Sequence, residues 1–349
     1  MAERASVPSW RGGPHLQLVD FHTHVVDPEL PTLDDQDPVL PVVKRTADRV
    51  EILVGGRVYR TLDERAWCTE ARLRDMDADG VAIQVLSPLP GTLCHDASAP
   101  KAAALATLQN EHLSRMVAEV PDRFRALGTV PLQDTELAVV ELKRLVLELG
   151  FIGVEIGTRV GGMELSDERL RPFFRAACEF GAIVFIHPVD RVLDPRLSAA
   201  GLDFGVGMPG ETAVAAAAML TSGLLDELPD LVAVLAHGGG ALPQVLPRVD
   251  HGRTVLTAAE DPGPSLVASA RRLWSDSLTY DVASLDLTLQ RFGLHHVVLG
   301  TDYPLAAREH PAGRVLHDWD NTRRGGVAMQ IGHTNGMRLV APDQPPSAH

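Results

Sequence analysis

Short apolar runs rich in β-branched residues alternate along the chain with stretches of helical periodicity. The runs predict strands at 18–24 (LVDFHTH), 81–87 (VAIQVLS), 124–130 (FRALGTV), 151–157 (FIGVEIG), 182–187 (AIVFIH), 231–237 (LVAVLAH), 276–281 (DSLTYD) and 296–302 (HVVLGTD). Helical patterns fall between most of them, as at 69–79, 101–119, 134–149 and 211–222. Asp134 is placed to cap one helix and Gly150 to stop it, while Asp167 opens DERLRPFFRAACEF and Gly181 ends it. Strands alternating with helices imply parallel βαβ units, and the eightfold count predicts an α/β fold of the (β/α)8 TIM-barrel type. An open doubly wound sheet is the competing arrangement. No GxGxxG follows the first strand, which disfavours that sheet and a dinucleotide cofactor together.

Residues 26–68 break the alternation and are long for a βα loop. Within them RVEILVGGRVYRTL reads as a β-hairpin with a Gly-Gly turn, a small insertion after the first strand placed over the barrel mouth. Residues 15–340 are therefore expected to form one barrel domain, with flexible tails at 1–14 and 341–349. The stretch after 305 reads only as helical in parts.

Composition narrows the partners. The 349 residues hold 32 Lys+Arg against 46 Asp+Glu, a formal net charge of −14. This balance argues against a general nucleic-acid binder but leaves room for a small anionic ligand on a local arginine pair. No apolar run reaches the roughly 20 residues of a membrane helix, and the first residues show no apolar core of a secretory signal. Cys68, Cys94 and Cys178 are widely spaced and odd in number, so plain thiols in a reducing cytoplasm are expected.

The candidate chemistry sits at strand ends. His22 and His24 are two apart on the first strand, so both imidazoles face the same way. His187 ends the fifth strand, His237 the sixth and Asp302 the eighth. Barrel enzymes build their sites from these C-terminal ends. Imidazole nitrogens with a carboxylate suit Zn2+ or a similar divalent ion, which lowers the pKa of a neighbouring water. A lone HxH carries little weight, since a core histidine with a satisfied hydrogen bond is the ordinary case; the joint placement points to a metal site. His15, His95, His112, His251, His295, His296, His310, His317, His333 and His349 fall outside the pattern and read as surface or packing residues. Of these, His95 follows a strand-end loop and is placed to line a pocket. Gly238, Gly239 and Gly240 fit close backbone approach at a turn; no lysine follows to make them a phosphate loop.

The segments DFHTH, FIHPVD, VGMPGE, LAHGGGALP and LGTDYP together resemble the amidohydrolase superfamily, and more narrowly its aminocarboxymuconate-semialdehyde decarboxylase family. GRVYR, LRDMDADGVAIQVLS, RFRALGTVPLQDTELAVVELKR and LGFIGVEIGTRV follow the same pattern in order, so the likeness spans roughly 18 to 305. It implies non-oxidative decarboxylation of a small unsaturated or aromatic carboxylic acid, 2-amino-3-carboxymuconate-6-semialdehyde or a close analogue. The implied cofactor is Zn2+, with another divalent metal such as Mn2+ admissible, and no organic cofactor. By the same likeness His22, His24, His187 and Asp302 match metal ligands, and His237 the general base or acid beside them. Arg60 matches an arginine that binds substrate carboxylate, as a guanidinium fork suits. Arg248 matches one that reaches the neighbouring subunit's site, which implies a homodimer. Read without the likeness, both arginines are surface ion-pairing residues. Val189, Phe204 and Leu305 stand where that family usually has Trp, Trp and Phe, so Phe204 is taken as a substrate-binding residue and the pocket volume as altered. Two other functions stay open: a hydrolase or hydratase on a small carboxylate, and a non-catalytic metal-binding scaffold.

Overall fold

The computed structural model describes residues 17–189, 193–256, 263–323 and 325–340. The tails expected at 1–14 and 341–349 lie outside the described residues, as do His15, Asp190 and His349. The chain opens with β1 (Leu18–Val25) and an insertion of β2 (Pro41–Arg45), β3 (Arg49–Val54) and β4 (Arg57–Asp63). It continues through β5 (Val81–Pro88), β6 (Phe124–Gly128), β7 (Gly153–Gly157), a two-stranded ribbon of β8 (Arg159–Val160) and β9 (Met163–Glu164), then β10 (Ile183–His187), β11 (Ala233–Leu235), β12 (Trp274–Asp276) and β13 (Val297–Val298). Eight strands pair in the order β1-β5-β6-β7-β10-β11-β12-β13, and the described pairings along it are parallel.

The eighth seam returns to β1. The Phe21 N–H donates to Leu299 O at 2.8 Å, Asp302 N–H to His22 O at 2.9 Å and His24 N–H to Tyr303 O at 2.7 Å. Asp20 clamps the seam by accepting from the Thr301 amide at 3.1 Å and its hydroxyl at 2.6 Å. The expected (β/α)8 barrel is therefore the fold. A buried cluster including Val19, Phe21, Val85, Leu127, Phe185, Val234 and Val298 joins the strands to one another, and Leu339 and Val340 of the final helix pack into it. A larger cluster joins strands to the surrounding helices, burying Phe173 and Phe174 against Leu142, Leu145 and Val184. Among the described residues no helix is long and apolar enough to cross a membrane.

Local signals explain where elements begin and end. Asp134 accepts from the amides of Glu136 and Leu137, both at 3.1 Å, and so caps the helix Thr135–Leu147. The expected helices at 101–119 and 211–222 are Ala99–Glu119 and Met208–Thr221. The strand expected at 276–281 lies earlier, at Trp274–Asp276: the aspartate ends the strand and turns to accept hydrogen bonds from loop amides. The expected strands at 231–237 and 296–302 shorten to Ala233–Leu235 and Val297–Val298, because their last residues leave the ladder for the rim. The predicted hairpin is β3–β4 with Gly55 and Gly56 at φ +55° and +73°, the two positive values that a tight hairpin turn requires. It gains β2 as a third antiparallel strand that the sequence pattern did not disclose.

The insertion is seated on the barrel through Tyr59 of β4, whose ring fills the space over Gly91: a Cβ there would lie 2.1 Å from Tyr59 Cε1. Gly91→Ala is expected to destabilise the protein by about 1–3 kcal/mol through overpacking. Urea unfolding checks this, and adding Tyr59→Leu should recover much of the loss; an additive double mutant would separate the two sites.

Candidate active site

The five strand-end residues converge. His22 Nε2 lies 3.1 Å from His24 Nε2 and 3.4 Å from Asp302 Oδ1, and His24 Nε2 lies 3.1 Å from the same oxygen. Ligand atoms of His22, His187, His237 and Asp302 all fall within 4.8 Å of one another. The His187 ring is 5.0 Å from that of His22 and 4.8 Å from that of His237, centre to centre.

Each outer nitrogen is anchored, which aims the inner one. His22 Nδ1–H donates to Asp276 Oδ2 at 2.7 Å, His24 Nδ1–H to Pro88 O at 3.1 Å and His187 Nδ1–H to Pro188 O at 2.7 Å. These acceptors hold the Nδ1 protons, so each Nε2 faces inward, where it can carry a proton or a metal ion. His187 Nε2 and His237 Nε2 are buried without a hydrogen-bond partner among the described residues. Orphaned lone pairs of this kind, in a set of imidazoles and one carboxylate, fit a borderline divalent cation.

The electrostatics run the same way. Burial disfavours a charged His22, but the Asp276 and Asp302 carboxylates outweigh it and push the imidazole up to about 10. Burial would raise Asp302, yet hydrogen bonds with His22 and His24 hold it well below the usual carboxylate range. A proton on His22 and a bound cation are thus alternative ways of meeting the same carboxylate charge. Burial, reinforced by His22, pushes His237 down to about 4, which keeps that ring neutral at physiological pH.

His237 and Asp302 both adopt left-handed backbone, at φ +58° and +66°, a strain that clusters at functional sites. The chain after His237 must also pass close to its neighbours: a Cβ on Gly240, at φ +60°, would stand 2.5 Å from Pro209 O. This matches the expected role of the glycine run. Beside it lies a cleft of about 360 Å3 bordered by Pro209, His237, Gly240, Tyr280 and Thr288. Phe204 is half exposed, with its ring 6.2 Å from that of Tyr280 at this cleft. Arg60 lies on β4 with its guanidinium 4.4 Å over the Tyr59 ring. Arg248 is exposed on the helix Leu242–Leu256 that follows the glycine turn.

Sequence reasoning missed three residues. Asp276 binds His22 Nδ1 and the amides of His237 at 2.9 Å and Gly238 at 2.7 Å, so one carboxylate orients two site histidines. A carboxylate at a strand end was the available signal, hidden when 276–281 is read as the strand. Glu155, fully buried on β7, places Oε2 3.6 Å from His24 Nδ1. Arg72, also fully buried, donates to His24 O at 2.9 Å and Thr23 Oγ1 at 3.0 Å, bracing the HxH backbone.

A family model described as Amidohydrolase matches residues 19–335. A 2-amino-3-carboxymuconate-6-semialdehyde decarboxylase of Dictyostelium discoideum is 34% identical over 305 residues, covering 85% of this chain and 84% of the relative. Among solved structures, a 2,6-dihydroxybenzoate decarboxylase in complex with 2,6-dihydroxybenzoate superposes with a TM-score of 0.68 at 27% identity, over 79% of this chain and 88% of that one. A 5-carboxyvanillate decarboxylase of Novosphingobium aromaticivorans, with manganese and 4-hydroxy-3-methoxy-5-nitrobenzoic acid, gives a TM-score of 0.67 at 26% identity, covering 79% of this chain and 81% of that one.

Asp276→Asn should lower metal affinity by about 10–100-fold, because the amide no longer holds the His22 tautomer as a carboxylate does. Metal titration against a chromophoric chelator measures it. Unchanged affinity would detach Asp276 from the site.

Proposed function

Because the chain belongs to the amidohydrolase family, we propose that it is a metal-dependent, non-oxidative decarboxylase of a small unsaturated or aromatic carboxylic acid. The substrate we infer is 2-amino-3-carboxymuconate-6-semialdehyde or a close analogue. The observation that carries this reading is the inward convergence of the His22, His24 and His187 Nε2 atoms on Asp302 Oδ1, with a neutral His237 beside them. His22, His24, His187 and Asp302 are the proposed ligands. A divalent cation held there supplies Lewis acidity toward the oxygens of the substrate. Zn2+ suits three imidazoles and a carboxylate, and Mn2+, the metal in the carboxyvanillate decarboxylase, is the other candidate.

The chain's own residues supply the rest. Arg60 and Arg248 fix the substrate through a carboxylate, and Phe204 packs against its unsaturated frame. The bond from carbon to the leaving carboxylate breaks, CO2 departs, and the electron pair left on carbon takes a proton passed through His237 Nε2. Arg248 acts in the site of a second copy. Support for that homodimer is the exposed apolar set Leu202, Phe204, Val206 and Val214, with Val255 and Leu256 at the end of the helix that carries Arg248. Residues 15–340 form its one domain. The free thiols Cys68, Cys94 and Cys178 support a place in the cytoplasm.

Metal-loaded protein is expected to release CO2 from freshly generated 2-amino-3-carboxymuconate-6-semialdehyde or from 2,6-dihydroxybenzoate. His237→Ala should cut kcat by about 10²–10⁴-fold while retaining the metal. Product without CO2 would instead mark a hydrolase or hydratase. Mixing inactive Arg248→Ala and His237→Ala chains should restore turnover, since each hybrid dimer then holds one intact site. No recovery after verified subunit exchange would confine Arg248 to its own chain.

A further inference from the structure

His95 is 6% exposed, and neither of its ring nitrogens has a hydrogen-bond partner among the described residues. A neutral imidazole always carries one N–H and one lone pair, so leaving both dry opposes folding. The backbone is bent to put the ring there: Cys94, immediately before it, adopts φ +52°. The ring rests on Gly157, where a Cβ would stand 3.2 Å from His95 Cδ2. Gly157 lies in register with His187. His95 therefore packs on the β7 residue that pairs with His187, on the same rim of the barrel.

The ring lines a cavity of about 20 Å3 shared with Thr158, Arg159 and Val189. That is room for a single oxygen-sized group. Arg159 Nε faces Glu211 Oε2 at 3.9 Å, and the Thr158 hydroxyl donates to the same oxygen at 3.5 Å, so the guanidinium lining this cavity already faces a carboxylate. Burial pushes His95 down to about 4, leaving a neutral ring that favours an uncharged partner over an anion. A hydroxyl, which both donates and accepts, matches such a ring.

We propose that His95 is a specificity-determining residue that hydrogen-bonds a hydroxyl group of the substrate while the reacting carboxylate lies at the His22–Asp302 cluster. The inference rests on the aromatic-acid branch of the decarboxylase reading above, because 2-amino-3-carboxymuconate-6-semialdehyde carries no hydroxyl: the preferred acid is then an analogue that bears one on the side facing β7. A water resident in the cavity is the competing occupant.

The test compares two unreactive ligands in which nitro replaces carboxylate: 2-nitroresorcinol and 2-nitrophenol, which lacks the second hydroxyl. Calorimetry on metal-loaded wild-type protein should show roughly tenfold tighter binding of 2-nitroresorcinol, the worth of one hydrogen bond. In His95→Leu the ratio should fall to within about twofold, with metal content unchanged, whereas His95→Gln, which keeps a donor and an acceptor, should retain part of the preference. A readout independent of variant folding is the His95 ring 15N resonance of the wild type, expected to shift with 2-nitroresorcinol and not with 2-nitrophenol. A ratio unchanged in His95→Leu, or a resonance unmoved at saturation, overturns the role of His95 alone. Wild-type protein that binds neither ligand overturns the aromatic-acid reading and this inference with it.

Discussion

Buried lone pairs facing one another are the constraint around which the molecule is arranged. Imidazole nitrogens and a carboxylate oxygen within 3.1–3.4 Å repel unless something positive lies between them. The surrounding structure prevents their escape. Asp276 grips His22 from behind and, through the His237 and Gly238 amides, fixes the turn that presents His237. Pro88 O and Pro188 O hold the other two rings. The left-handed backbone at His237 and Asp302 is stored strain of the same origin.

The barrel makes that arrangement rigid. The seam between β1 and residues 299–303 aligns Asp302 with the His22–His24 pair, and the Asp20–Thr301 hydrogen bonds lock it from below. Arg72 brings a charged guanidinium into the interior to hold the carbonyl of His24, and stacks over Tyr303 at 4.7 Å. A buried cation is acceptable there because several acceptors surround it. The insertion carries Arg60 and is keyed to the barrel by Tyr59 over Gly91.

Much of this was legible in the chain because strand and helix periods differ. The alternation in LVDFHTH placed both imidazoles on one face, and the eight apolar runs implied closure before any contact was known. What escaped was set by tertiary hydrogen bonds. Asp276 was misplaced because DSLTYD has strand-like alternation, while the ladder ends at the aspartate once its oxygens find loop amides. Strand β2 was invisible because Pro41–Arg45 shows no inward-outward pattern of its own and is recruited by β3. His95 reads from the sequence as a packing residue placed to line a pocket; its unsatisfied nitrogens emerge only from three-dimensional burial.

The proposed cation site of His22, His24, His187 and Asp302 stands beside the ring proposed to pass the proton. X-ray absorption at the K edge of zinc- or manganese-loaded protein tests that site most directly. The expected spectrum shows about three imidazole nitrogens with one or more oxygens at about 2.0–2.2 Å and one metal per chain. A bound metal without imidazole scattering, or no stoichiometric metal in protein purified without chelators, would contradict it.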